Sequence, residues 1–310
     1  MGTLIHDYCK YQKQYELIYE KAIVLHQTGS FYEIYGYTIN NILYGAPVNT
    51  ICDILAIQMT RRNKNIIEVS YNNPNMAGLP VYTVQKYIDI LTSNNYTVIL
   101  VSQVTLPPNV KREVTRIISP TTNIHETGDN NHLDSINNYI ACLYLCTMDK
   151  EHIIIGSYCY IDLNNSNQIY TFECSHEDTQ LNLEDLYKTI ISSCPRELII
   201  ITDQDSKKYE TVIKEMNTFV LSLPVKLIHN KIKDIIHNDF FKLSYQTSIL
   251  NKIYSNSCGL LSVIEYLDLE RYPFSIISLC YLIQYIYELD KKIIEGITKK
   301  PIILYTDKYD

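Results

Sequence analysis

Apolar positions recur along this chain in short blocks parted by polar turns, and the period of each block points to an element. Between Leu4 and Lys21, the residues Tyr8, Tyr11, Tyr15, Ile18 and Tyr19 fall on one helical face, so a helix is expected there. The run Ala22-Ile23-Val24-Leu25 reads as a short buried strand ending at Gly29, after which Phe31 and Glu33 leave the scaffold together at an exposed turn. A loop through Gly45-Ala46-Pro47 leads to a helix over Val48 to Ala56 and an extended piece from Ile57 to Arg61. Past Pro80, the spacing of Val84, Tyr87, Ile88 and Leu91 predicts an amphipathic helix. Tyr96 to Val101 and Val114 to Ile118 read as strands, with a turn at Pro107-Pro108 between them. Strands alternating with helices make this first part α/β.

From Asn138 the pattern changes. Three strand-like runs follow one another, Tyr139 to Thr147, Ile153 to Leu163 and Gln168 to Phe172, with hairpin-type turns at Asp149-Lys150 and at Asn164 to Asn167. A helix (Leu183 to Ser192), a strand (Glu197 to Thr202), a second helix (Ser206 to Asn217) and a strand (Val225 to His229) come next. That order is the order of an RNase H-like α/β domain. From Phe240 onward the apolar spacing is helical, in Leu260, Val263, Ile264, Leu267 and in Leu279, Leu282, Ile283, Ile286. The polar stretch from Ser119 to Asp129 is the expected domain boundary. The domains expected are residues 1–122, 129–238 and 239–310, the last as the beginning of a helical core.

Composition alters this picture little. With 46% hydrophobic and 20% charged residues, the chain has an ordinary globular make-up. Its start carries no basic and apolar leader pattern, and no apolar run reaches membrane-spanning length, so a soluble, intracellular protein is expected, with no membrane partner. Nine irregularly spaced cysteines fit reduced, buried thiols, because only Cys142 and Cys146 stand close and nothing completes a metal site. The net charge is −7, but residues 1–128 carry ten basic against nine acidic side chains, and residues 129–310 seventeen against twenty-five. The acidity lies outside the first domain, whose long-range pull on phosphate is weak.

The residues Gly29-Ser30-Phe31-Tyr32-Glu33-Ile34-Tyr35 put a ring and a carboxylate two positions apart. An exposed ring gains nothing in water, and an acid repels a phosphate backbone. The pair makes sense if Phe31 wedges between stacked bases from the minor groove while Glu33 takes a hydrogen bond from the unstacked base. The plainer alternative is a core Phe31 beside a solvated Glu33.

This window resembles the Phe-x-Glu motif of the MutS family of DNA mismatch-repair proteins. Further blocks similar to that family follow in its order: Asp53 to Arg62, Pro74 to Pro80 with the helix to Leu91, Val101 to Val104, Lys111 to Pro120, and Asp129-Asn130-Asn131. The resemblance is strong from about Tyr11 to Asn131 and thinner beyond. It implies a mixed-sheet mismatch-binding domain, then an RNase H-like connector domain, then the start of an all-helical core. The role it implies is mismatched-DNA binding in repair, with Phe31 as wedge and Glu33 bonded to the displaced base. Arg61, Arg62 and Lys64 with Met76, and Lys111, Arg112 and Arg116, would touch the DNA backbone, and Gly78 would allow a tight turn before the helix. Implied partners are mismatched double-stranded DNA, a second MutS subunit and a MutL-like protein. The alternative is an interaction module for those proteins in which DNA binding is vestigial. Two positions depart from the pattern. Ser30 stands where many members have Asp, and Thr121 where a Gly is usual, which puts the linker conformation in doubt.

The RNase H-like order also raises a nuclease, with Asp162, Asp203, Glu184 and Asp185 as the acids. Two-metal catalysis needs at least three converging carboxylates, and the first strand of that domain has none, so neither a catalytic residue nor a metal is expected. Full-length MutS proteins are ATPases that use ATP and magnesium. This chain has no Gly-x-x-x-x-Gly-Lys-Ser/Thr loop among its nine glycines, so no cofactor and no ATPase activity are expected of it.

Overall fold

The computed structural model describes residues 3–105, 108–123, 138–148, 153–164, 167–204 and 209–305. Several expectations concern positions outside them: Pro107 in its turn, the segment 124–137 with its Asp129-Asn130-Asn131 block, the turn at 149–150, residues 165–166 and the start of a helix at Ser206. The chain forms two compact units, residues 1–124 and 125–310. Among the described residues no helix is long and apolar enough to cross a membrane.

The first unit opens with α1 (Thr3–Glu16), shorter than its tyrosine periodicity; past its end the Ile18 and Tyr19 amides share the Tyr15 carbonyl. Then come β1 (Ala22–Thr28), β2 (Phe31–Ile39), β3 (Ile42–Gly45), α2 (Val48–Leu55), β4 (Thr60–Arg61), β5 (Asn75–Pro80), α3 (Val84–Ser93), β6 (Thr97–Gln103) and β7 (Arg112–Ile118). They build a sheet of order β4-β5-β2-β1-β6-β7, with β3 paired to β2. Only β1 and β6 run parallel, so the sheet is mixed. Strand β3 replaces the expected loop. Asn40 and Asn41 have φ of 51° and 62°, the two positive values a tight hairpin turn needs, which Asn adopts readily. Gly36 is required by contact, since a Cβ there would run into the Ala46 carbonyl.

Of the linker, Thr121 lies within the described residues. It is buried and lies outside the left-handed region, while the Ser119 amide bonds Thr122 Oγ1 at 2.9 Å and the Asn123 amide bonds the Ser119 carbonyl. The turn needs no glycine.

The second unit comprises β8 (Tyr139–Met148), β9 (Ile153–Asp162), β10 (Gln168–Cys174), α4 (Thr179–Ser193), β11 (Glu197–Thr202), α5 (Glu210–Ser222), β12 (Leu227–Ile235), α6 (Leu243–Tyr254), α7 (Val263–Tyr266), α8 (Pro273–Leu289), α9 (Lys291–Glu295) and β13 (Ile302–Ile303). The strand order is β12-β11-β8-β9-β10-β13, antiparallel across β8, β9 and β10 and parallel across β8, β11 and β12, the RNase H-like arrangement.

The described residues 239–305 fall within this compact unit, where their helices pack on its sheet. Strands β8 and β9 are apolar on both faces and buried nearly end to end. One face packs Ala141, Leu143 and Leu145 against Leu186 and Ile190 of α4 and Met216 of α5. The other needs a cover, and α8 supplies it. Ser157 donates to the Phe274 carbonyl at 2.7 Å, and Glu173 accepts from the Ser275 amide at 2.7 Å, at the first turn of α8. Strand β13 then pairs in parallel with β10. The period of Leu279, Leu282, Ile283 and Ile286 matches α8, while α7 covers only Val263–Tyr266 and leaves Leu260 exposed outside it, and period alone does not say what a helix packs against.

The acids of the nuclease alternative have other engagements. Asp162 is buried and accepts from the Asn164 amide at 2.9 Å, Asp203 accepts from the Gln204 side chain, and Asp185 faces His176 and Lys188. Among the described residues no three His, Cys, Asp or Glu side chains stand together as metal ligands. All nine cysteines are free thiols, with Cys194 exposed and Cys9 half-buried.

Candidate nucleic-acid interface

Gly29 and Ser30 form a two-residue hairpin turn closed by the Thr28–Phe31 pair. Gly29 has φ of 61°, and a Cβ there would meet nothing within 4 Å, so its requirement is purely conformational. A positive φ at the first turn position matches the twist of the flanking strands. Because two residues suffice for the turn, Phe31 and Glu33 are not on it as expected. They are the first and third residues of β2 and therefore share one face.

Phe31 is 44% exposed, a large value for an aromatic ring on a central strand. Across on β5, Gly78 pairs with Glu33, and a Cβ at Gly78 would stand 3.5 Å from Phe31 Cδ1. Gly78 is therefore a mid-strand residue that leaves a bare surface beneath the ring, and not the expected turn before α3. That turn is made by Pro80 and a single 3-10 turn over Val81–Thr83. The Val81 amide bonds the Ser30 carbonyl at 2.9 Å and ties this turn to the hairpin. Its middle residue, Tyr82, is 88% exposed. It adds a second open aromatic within a residue of that tie. The sequence reading missed it, although a tyrosine at a helix entry, outside the periodic apolar positions of α3, was the available signal.

Glu33 is half-buried and accepts a hydrogen bond from the Tyr35 hydroxyl. The Tyr35 ring is buried edge-on against Tyr8, with centroids 5.3 Å apart, and Tyr8 in turn donates to the Val24 carbonyl. Burial first, and then the Glu33 carboxylate, push the Tyr35 hydroxyl pKa well above its usual value. His26 pairs with Glu33 from β1 and is buried. Burial, with the nearby Arg112 charge, pulls its pKa down to about 4, so the ring is neutral at neutral pH.

This predicts an acid-sensitive first unit. Between pH 6.5 and about 4 the unfolded chain holds the His26 proton that the folded one refuses, so stability falls as the pH drops through that window. The loss should approach about 3 kcal/mol from this residue alone, since each tenfold change in proton affinity is worth about 1.4 kcal/mol. Urea melts of the wild type and of His26→Leu across that range test this; equal pH slopes would refute it.

The basic residues divide. Arg112 reaches the hairpin turn, where its Nε donates to the Gln27 carbonyl at 2.7 Å. With the Gln103 amide turned to suit its neighbours, the Gln103 carbonyl accepts from Arg112 at 3.1 Å and from the Gly29 amide at 3.1 Å. Arg112 is thus a brace of the turn. Lys111 is its exposed neighbour. Arg116 is exposed, but an irregularity between Leu100 and Val101 sets it opposite Leu100, on the other face of the sheet from Arg112. Arg61 pairs with Asn75, which in turn pairs with Gly36, five residues along β2 from Phe31, or about 17 Å at the usual strand rise. Its guanidinium bonds the Ile66 carbonyl, while Arg62 and Lys64 are exposed beside it. Met76 pairs with Tyr35, half-buried behind the tip.

Residues 5–127 match the family described as MutS domain I. A mutS homolog of Acanthamoeba polyphaga mimivirus is 26% identical over 98% of this chain and 28% of its own length. The DNA mismatch repair protein MutS of Streptococcus gordonii is 28% identical over 72% of this chain and 28% of its own, and that of Rickettsia felis 28% identical over 81% and 26%. The chain thus spans just over a quarter of the length of these relatives.

Proposed function

We propose that the chain is the N-terminal region of a MutS-family protein and that it reads mismatched double-stranded DNA in mismatch repair, with Phe31 as the wedge and Glu33 as the acceptor for the displaced base. The observation that carries this reading is the half-open Phe31 ring at the start of β2, beside a braced two-residue turn, with Glu33 next along the same strand face. A mismatched step is already poorly stacked, so opening it costs less than opening a paired one. The proposed discrimination is of deformability, not of sequence. A second MutS subunit and a MutL-like protein are the partners we propose with it. Binding of the chain to a mismatched duplex and to its matched control, measured side by side, tests the reading; equal affinities would end it.

Binding by this chain alone should be weak, micromolar or worse, since specific complexes usually bury upward of about 1,000 Å² of protein on DNA. Arg112 is engaged with the turn, Arg116 lies on the far face, and the Arg61–Lys64 cluster stands at the other end of β2. The slope of log affinity against log salt should therefore correspond to no more than about three phosphates. A salt titration giving a slope near six, or nanomolar binding, would reveal a further DNA surface.

We also propose that this chain binds no ATP, because it has no glycine-rich phosphate loop ending in Gly-Lys. Titration calorimetry with magnesium and ATP should give no saturable heat.

A further inference from the structure

We propose that Tyr35 is a positioning residue that locks the Glu33 carboxylate in place and thereby sets how sharply the site separates mismatched from matched DNA. This rests on the reading of Glu33 given above. Strand alternation places Phe31, Glu33 and Tyr35 on one face of β2, and the Tyr35 hydroxyl donates to one oxygen of Glu33. A glutamate side chain on an open strand would otherwise sample several rotamers. Here its partner cannot follow such motion, because the Tyr35 ring is buried and held edge-on by Tyr8, itself anchored to the Val24 carbonyl at 3.2 Å. Burial also keeps the proton on Tyr35, so the hydroxyl acts as a donor and Glu33 as an acceptor.

Two consequences follow from a tethered carboxylate. Toward a mismatch, the free oxygen is already oriented, and the entropy of fixing a flexible side chain is not lost on binding. Toward a matched duplex, the carboxylate cannot swing out of the way, so its unpartnered oxygen and its charge oppose docking. An untethered glutamate would do both things less well. Tyr35 therefore acts on the ratio of affinities without touching the DNA.

The experiment is a double-mutant cycle read as the affinity ratio for mismatched over matched duplex. Tyr35→Phe should lower that ratio by about threefold to tenfold, the range of one net hydrogen bond. Stacking by Phe31, followed as the fluorescence change of 2-aminopurine beside the mismatch, should stay as in the wild type. In a Glu33→Ala background, Tyr35→Phe should change nothing, since no carboxylate remains to be held. An equal loss in both backgrounds would mean a packing role and would overturn the proposal. Glu33→Asp, one methylene shorter and leaving Tyr35 in place, should lose the ratio as Tyr35→Phe does, and it serves if the latter folds poorly. A wild type with no mismatch preference would defeat the functional reading itself. A wild type whose preference is lost in Glu33→Ala but kept in full by Tyr35→Phe and Glu33→Asp would defeat only the role of Tyr35.

Discussion

Phe31→Ala is expected to abolish preference for mismatched DNA while leaving weak, salt-sensitive binding to any duplex. Base–aromatic stacking is worth about 1–3 kcal/mol, so affinity for a mismatch should fall between about fivefold and a hundredfold. Affinity for matched DNA should barely move, because a well-stacked step does not admit the ring. The fold should tolerate the change. The ring is 44% exposed over Gly78, and its removal opens no enclosed cavity. Anisotropy titrations with a mismatched duplex and its matched control give the ratio directly. An unchanged ratio in a folded mutant would remove Phe31 from the role of wedge. A remaining preference of twofold or so would instead point to Tyr82, the second open aromatic near the turn.

Glu33→Ala should have the opposite sign on matched DNA. The wild-type carboxylate meets a matched duplex with one oxygen satisfied by Tyr35 and the other without a donor. An unpartnered buried acceptor costs about 1–3 kcal/mol, and with half the group already satisfied the lower end applies, so matched affinity should rise about fivefold. That gain should shrink as salt screens the repulsion between carboxylate and phosphates. Mismatch affinity should fall or stay level, so the two curves converge. Lower affinity of the mutant for the matched duplex at low salt would contradict the sign of the argument. Phe31 and Glu33 would thus separate cleanly, the first by what it adds to a mismatch and the second by what it subtracts from a match.

Arg112 differs from both. It braces the turn through the Gln27 carbonyl and Gln103, and its charge helps keep His26 neutral. Its removal would therefore disturb the hairpin turn from behind.

Elements whose signal is local were legible in the order of residues. Helix α3 follows its i, i+3, i+4, i+7 spacing, β11 begins and ends at Glu197 and Thr202 as the apolar run does, and three strands preceding helix–strand units already implied the RNase H-like sheet. Phe31 and Glu33 stood out because a ring and an acid two positions apart after a buried run are chemically odd. Strand β3 was missed although Asn40-Asn41 is itself a turn signal, because the apolar residues after it were read as loop ahead of Gly45-Ala46-Pro47.

Other features could not be read in one dimension. Period reveals that a segment is amphipathic but not which surface it covers, so only the two-faced burial of β8 and β9 shows that α8 belongs to the second unit. Lys111, Arg112 and Arg116 look alike as a basic cluster, yet a single irregularity in β7 pairing puts Arg116 on the far face, and a carbonyl 85 residues away claims Arg112. The tie between Tyr35 and Glu33 depends on a ring that Tyr8 holds from another element. Local preference and apolar period, encoded within a few residues, determined the elements and the odd pair at the tip. Which charge stays free, which side chain is held and what each helix covers were decided by contacts between distant segments, because hydrogen-bond partners and burial exist only once the chain has folded.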